Sequence, residues 1–251
     1  MEKLSVTVIT KNEEHNIADA LLSVDFADEI VVVDSGSEDR TVEIARRFTD
    51  RVIEKDWPGH VAQKNYAVEA ASHDWILSID ADERVSPELA AGIRRVLAEG
   101  PDRDGYRVRR KVFYLGRWIR HCGWYPDYRV RLFDRRKAKW TGLDPHDIVE
   151  VHGETGRIEA DLLHYTYRDI SDHLGTIDSY TTIGARRYKE AGRRAGAWDI
   201  LLRPPYTFLK KYVFQRGFLD GFAGLLISML SAYYVFLKYA KLWEMGRKGE
   251  E

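Results

Sequence analysis

A chain of 251 residues has room for one α/β domain, or one domain with an appendage, and 44% hydrophobic content supports a sizeable core. Lysine plus arginine (39) nearly cancel aspartate plus glutamate (40), which removes the charge argument for general nucleic-acid binding. The single cysteine, Cys122, excludes an internal disulfide framework and fits a reducing compartment. The first residues lack a signal-peptide apolar core and run straight into strand pattern, so a cytoplasmic location is expected.

Leu4 to Thr10 reads as a first strand, apolar and β-branched. Asn16 to Val24 then shows helical spacing at Ile17, Leu21 and Val24. Ile30 to Asp34 is a second buried strand, Thr41 to Phe48 a second helix, and Arg51 to Glu54 a short third strand. His60 to Ala71 forms a third helix after Trp57-Pro-Gly59. Trp75 to Ile79 is the fourth strand, and Ser86-Pro87-Glu88 has the form of an N-cap with proline at N1. Strand–helix alternation with such short connections predicts a parallel, doubly wound sheet.

In such a sheet, ligands sit beyond the carboxyl ends of the strands. Polar residues collect there: Thr10, Asn12 and Glu13, then Asp34 and Ser35, then Asp80, Asp82 and Glu83. Together they suggest a mononucleotide half-site. Asp80 and Asp82 are two apart and face one way in an extended backbone. They suit a hard divalent cation, which binds carboxylates together with substrate phosphates, although an acidic strand-to-helix turn has the same pattern. Neither a G-x-G-x-x-G fingerprint nor a Walker lysine loop is present, so a carboxylate-bound metal is the expected way to neutralise a diphosphate.

Three stretches carry a family resemblance: Ser5-Val-Thr-Val-Ile-Thr-Lys-Asn-Glu-Glu14, Ile30-Val-Val-Val-Asp-Ser-Gly-Ser-Glu-Asp39 and Ile79-Asp-Ala-Asp-Glu83. In their order and spacing they resemble the family 2 glycosyltransferases of the GT-A fold, and more narrowly the bacterial lipopolysaccharide inner-core β-1,4-glucosyltransferases acting on heptose. The likeness extends through Trp124 to Phe133, Leu163 to Tyr167 and Arg216 to Gly221. It implies an α/β GT-A fold, with a Rossmann-like, mostly parallel sheet flanked by helices. It also implies inverting transfer from a nucleotide-diphosphate sugar, a UDP-sugar first among the candidates, with Mg²⁺ or Mn²⁺ as cofactor. By position, Thr10, Asn12 and Glu13 would line the nucleoside pocket, Asp34 would face the base, and Ser35 would join the nucleotide-sugar contacts. Lys64 would lie near the nucleotide, Asp80 would contact ribose or metal, and Asp82 would hold the metal. Asp34 equally suits a cap on the next helix, and Glu13 a helix N-terminus.

Inverting transfer needs a base near the acceptor hydroxyl. His146-Asp147 is the candidate pair, with Asp147 as base and His146 orienting it. Related enzymes usually carry His-Glu, so the shorter Asp147 is a departure, and Asp144 stands close by. The resemblance also makes His164, after an apolar run, a candidate third metal ligand. Two further alternating stretches, Asp104 to Phe113 and Tyr128 to Phe133, are expected strands. The segment around them supplies candidate acceptor contacts at Trp124, Asp127, Arg129 and Arg131, since aromatic faces and arginines suit sugars and phosphates. Packing of those aromatics onto the sheet is the competing role.

Ser171 to Ala195 is an expected helix whose later part is basic. Gly221 to Leu237 has no charge and basic flanks, and is read as one or two helices in the membrane interface. A dimer interface and a single span compete with that. The expected organisation is a catalytic domain over 1–168, with a donor half to about 100 and an acceptor half after it. Residues 169–251 form a C-terminal helical, membrane-associating appendage. The expected partners are the sugar nucleotide, a lipid-linked saccharide acceptor and the cytoplasmic surface of the inner membrane, with no nucleic acid and a homo-oligomer left open. Transfer to a polyprenyl-linked or capsule glycan, metal-dependent nucleotidyl transfer and a non-catalytic sugar-nucleotide-binding subunit are the alternatives.

Overall fold

A computed structural model describes residues 2–143 and 146–247, with Leu143 and His146 described by backbone alone. Asp144 therefore lies outside the described residues, as does the side chain of His146. The chain forms two compact units, one of residues 1–111 and 127–164, the other of residues 112–126 and 165–251.

In the first unit, β1 (Leu4–Thr10), β2 (Glu29–Asp34), β3 (Val52–Glu54) and β4 (Trp75–Asp80) pair in parallel, joined by α1 (Ile17–Leu22), α2 (Thr41–Ala45) and α3 (His60–Ala70). The chain continues through β5 (Glu83–Val85), α4 (Pro87–Glu99), β6 (Gly105–Tyr114), β7 (Arg117–Trp118) and β8 (Asp127–Asp134). It then forms the hairpin β9 (Ala138–Leu143) and β10 (His146–Val151), and returns on β11 (Thr155–His164). The sheet order is β3-β2-β1-β4-β8-β6-β11-β5. It is mixed rather than parallel throughout, because β8 runs antiparallel to β4, and β6 antiparallel to β8.

Strands covered on both faces read as continuous apolar runs, and β1 is buried at every residue. Alternation sends Val6 and Val8 of β1, with Leu77 and Ile79 of β4, into one core with Leu21, Leu89 and Ile93. Ile9 and Ile76 face the other core, with Ala67, Val68 and Phe133. The Ser86 hydroxyl caps α4 by accepting from the Leu89 N–H at 3.2 Å, with Pro87 at the first turn.

Just before that cap lies the main departure from the sequence reading. Residues 83–85 are not a plain turn but β5, paired antiparallel with the end of β11 so that Glu83 faces His164. Three residues are too few to show a period, which hid this strand.

The second unit is helical, comprising α5 (Ile170–Glu190), α6 (Ala197–Leu201), α7 (Arg203–Leu209), a π turn at Lys210–Phe214, a 3₁₀ turn at Gly217–Asp220 and α8 (Gly221–Arg247). α5 stops short of Ala195, ahead of Gly192 at φ +72°. The uncharged run from Gly221 lies within one continuous helix, which with its preceding turn is long and apolar enough to cross a membrane. Lys241 of α8 is tied to Asp178, Thr181 and Thr182 of α5. The buried Asp220 carboxylate accepts from the N–H groups of Arg120 and His121 and contacts the His121 ring. That accounts for the Arg216 to Gly221 motif as an anchor for the 3₁₀ turn. Tyr167 stacks on His173, whose Nδ1 lies 2.8 Å from the Tyr114 hydroxyl. Burial pushes the His173 imidazole down to about 4.

A Cβ added to Gly224 would land on the carbonyl oxygen of Gly217, whereas one added to Gly246 meets open space. Gly224→Ala should therefore cost roughly 1–3 kcal/mol, and Gly246→Ala should be neutral or add up to about 1 kcal/mol, as read by urea denaturation. An ordinary histidine near 6.5 binds its proton in the unfolded chain first, so His173 stabilises fully above about 6.5. That stability should be lost as pH falls toward 4, and the slope over this window should flatten in His173→Gln.

Candidate active site

In the first unit, Lys64, Arg131, Glu83 and Asp147 gather around Asp80 at the carboxyl end of β4. α3 begins after Gly59 (φ +108°) and turns Gln63, Lys64, Ala67 and Val68 inward together. A lysine on the buried stripe of a helix would be costly unless paired. Lys64 is 4% exposed, and its Nζ lies 2.9 Å from Asp80 Oδ1 and 2.7 Å from Asp147 Oδ2. It also sits 4.3 Å from the centroid of the Trp140 ring, a cation–π contact in a desolvated place.

Asp80 receives a second cation. Arg131 Nη2 lies 3.4 Å from Asp80 Oδ2 and 2.6 Å from Glu83 Oε1. Glu83, fully buried, accepts the Asp80 N–H at 3.0 Å through its other oxygen. Burial alone would raise the Asp80 carboxyl, but Lys64 and Arg131 outweigh it and hold the group well below the usual carboxylate range. Asp82 points elsewhere, its Oδ2 lying 3.0 Å from His164 Nε2. Burial opposes a charge on His164, yet the adjacent Asp82 lifts its imidazole above the ordinary histidine range.

The loops after β1 and β2 lock together. Asn12, at φ +54°, accepts from the Glu38 N–H through its side chain and donates its own N–H to Ser37. Asp34 accepts from the Gly36 and Ser37 N–H groups and so closes the turn after β2, rather than capping α2, whose N-cap is Arg40 with no side-chain cap bond. Glu13 binds the Asn16 side chain, and its N–H donates to Thr41. The Ser35 hydroxyl accepts from Gln63. Among the described residues, buried Thr10 Oγ1, Gln63 Oε1, Trp140 Nε1 and His164 Nδ1 have no hydrogen-bond partner. Buried polar atoms are seldom left so, and a bound polar ligand would satisfy them.

The structure thus brings Lys64, Asp80, Asp147 and Arg131 together, and separately Asp82 and His164. Asp127 and Arg129 pair with each other, and Asp127 also with Arg110. Arg131, expected at the acceptor, is instead buried against Asp80 and Glu83. Trp124 belongs to the second unit, where it packs on Tyr114 at 5.8 Å. Glu83 was named only as a third carboxylate. Its one signal in the sequence is position, a third carboxylate directly after Asp82 at the end of the apolar run. Arg131→Met leaves Glu83 buried without its cation and should cost about 3–5 kcal/mol. Exposed Arg129→Ala should stay within about 1 kcal/mol. Equal, small losses for both in urea denaturation would count against a structural role for Arg131.

Among the described residues no three His, Cys, Asp or Glu side chains converge as a preformed metal cluster. Asp82 with His164 is the fitting pair, an oxygen and a nitrogen donor at one strand end, with room in the ligand set for diphosphate oxygens. Asp80 is already neutralised by two cations.

The glycosyl transferase family 2 model matches residues 5–150. An uncharacterised glycosyltransferase of Rickettsia typhi is 32% identical, over 99% of this chain and 89% of that protein. The lipopolysaccharide core biosynthesis glycosyltransferase LpsC of Rhizobium meliloti is 29% identical, over 96% and 92%. Glucosyl-3-phosphoglycerate synthase from Mycobacterium tuberculosis, crystallised with Mg²⁺ and uridine diphosphate, matches 43% of this chain and 44% of its own at 24% identity and a TM-score of 0.39. The mixed sheet flanked by helices is GT-A-like. With the family model covering more than half of its length, this chain is a member of glycosyl transferase family 2.

Proposed function

We propose that this enzyme is a metal-dependent inverting hexosyltransferase. It moves a hexose, glucose by preference, from a nucleotide-diphosphate sugar, a UDP-sugar first among candidates. The acceptor is a lipid-linked saccharide such as the heptose of a lipopolysaccharide inner core, reached at the cytoplasmic face of a membrane. The observation that carries the reading is Lys64, held between the carboxylate ending β4 and Asp147. The likeness to a lipopolysaccharide core glycosyltransferase along nearly the whole chain supports the acceptor class.

The loops after β1 and β2, with Thr10, Asn12, Glu13, Asp34 and Ser35, take the nucleoside. Asp82 and His164 would hold Mg²⁺ or Mn²⁺, which when bound would supply positive charge to offset that of the departing diphosphate. Lys64, drawn toward that diphosphate, releases Asp147 Oδ2. The acceptor O–H then gives its proton to Asp147 as its oxygen bonds to the anomeric carbon. The bond from that carbon to the diphosphate breaks on the opposite face, inverting the centre and freeing nucleoside diphosphate. Arg131 keeps Asp80 ionised, and Glu83 fixes its backbone by accepting the Asp80 N–H beside this exchange.

Donor binding and slow donor hydrolysis by purified protein test the reading across UDP-, GDP- and ADP-sugars. One donor should release nucleoside diphosphate with Mn²⁺ or Mg²⁺, and this should be abolished by EDTA and in Asp82→Ala. Asp147→Asn should keep donor affinity within a few-fold while transfer to acceptor falls about 10²–10⁴-fold. If no sugar nucleotide binds under any of these conditions, the proposal fails.

A further inference from the structure

A surface helix of a soluble protein turns its apolar stripe inward. The segment from α6 through the π turn does the reverse. None of α6, α7 or the π turn has a buried residue. Trp198, Leu202, Tyr206, Leu209 and Val213 recur at four- and three-residue steps, which places them along one helical side. All five are exposed, from 48% at Val213 to 74% at Trp198. Phe214 (76% exposed) and Phe218, Leu219 and Phe222 around the 3₁₀ turn extend the apolar surface.

The charges of this segment have one sign. Residues 200–219 contain Arg203, Lys210, Lys211 and Arg216 and no acidic residue. The flanking carboxylates are taken up elsewhere: Asp199 is bound by Arg203 at 2.6 Å, and buried Asp220 by backbone N–H groups. Lys210 and Arg216 stand exposed beside the apolar side chains.

We infer that residues 198–222 form a bilayer-docking surface selective for anionic phospholipid headgroups. The apolar and aromatic side chains enter the headgroup–acyl boundary, and Lys210 and Arg216 meet the lipid charge. Tryptophan and tyrosine suit that depth, having an apolar body and a polar tip. The segment lies in the interface rather than spanning, because Pro204, Pro205 and the π turn break it well short of a continuous span of about 20 residues. Self-association is disfavoured, since a two-fold contact sets a patch against itself and would pair basic residues with no acidic complement. The surface extends the membrane contact, read in the sequence at Gly221 to Leu237 with its basic flanks, back to α6 and α7. It serves the lipid-linked-acceptor reading above and rests on that reading for its purpose, while the binding itself needs no donor.

The test is flotation of the purified full-length protein with vesicles of phosphatidylcholine alone, or mixed with phosphatidylglycerol. Wild type should float with the anionic vesicles at least tenfold more than with neutral ones, and raised salt should weaken this. Leu202→Glu/Leu209→Glu and, separately, Lys210→Glu/Arg216→Gln should each lower it by roughly tenfold or more, since one basic residue near the surface is worth about 1 kcal/mol. Sugar-nucleotide binding in the same preparations should be unchanged, which shows that the variants fold and keeps failure of the donor reading separate. Equal binding to both vesicle types, binding to neither, or a lipid-free wild-type dimer that either variant turns into monomer would each overturn the proposal.

Discussion

Two carboxylates 67 positions apart, Asp80 and Asp147, share the ammonium of Lys64 inside the first unit. Three groups so close to dry surroundings are tolerable only as a set, since any one left alone would carry an uncompensated charge. Arg131 and Glu83 extend the set to five members, and Trp140 covers it on one side. The rest of the first unit follows from keeping this arrangement. α3 must present Lys64 on its buried face, the β9–β10 hairpin must return Asp147 to it, and β8 must deliver Arg131 from the antiparallel half of the sheet.

That arrangement also explains why Asp80 and Asp82, two residues apart, have different surroundings. Asp80 ends β4 and turns toward the cations, while Asp82 meets His164 through the short β5–β11 pairing. One carboxylate is thus spoken for by the protein, and the other sits with a second metal-type donor. Buried Thr10 Oγ1 and His164 Nδ1, each without a partner at the end of its strand, fit a pocket whose bonding is completed by what it binds.

The second unit obeys a different constraint. α8 packs along α5 and α7 through Ala223, Gly224, Ile227, Ser228, Tyr239 and Leu242, and its lysines reach back to Tyr188 and Asp178, while Phe222, Met229, Tyr233, Phe236 and Trp243 stay exposed. α6 and α7 cover it on one side and expose their own apolar stripe on the other. The Asp220 carboxylate and the close approach of Gly224 to Gly217 fix the turn that joins the exposed segment to α8.

The alternating strands and helices to β4, the Ser86 cap and the cluster of polar residues at strand ends were legible in sequence. Each rests on local periodicity, on capping chemistry or on the rule that open sheets bind at their carboxyl edge. The family motifs lie in that same stretch. Not legible were β5, too short to show a period, and the antiparallel second half of the sheet. Arg131 looked like an exposed sugar contact because alternation gives its face but not what covers that face. The uncharged run from Gly221 revealed length and hydropathy, but not which of its side chains pack within the helical unit and which stay exposed beside those of α6 and α7. Composition and spacing determined which residues could do chemistry at the strand ends. Only the tertiary structure decided which of them share a charge, because that depends on contacts between segments dozens of residues apart.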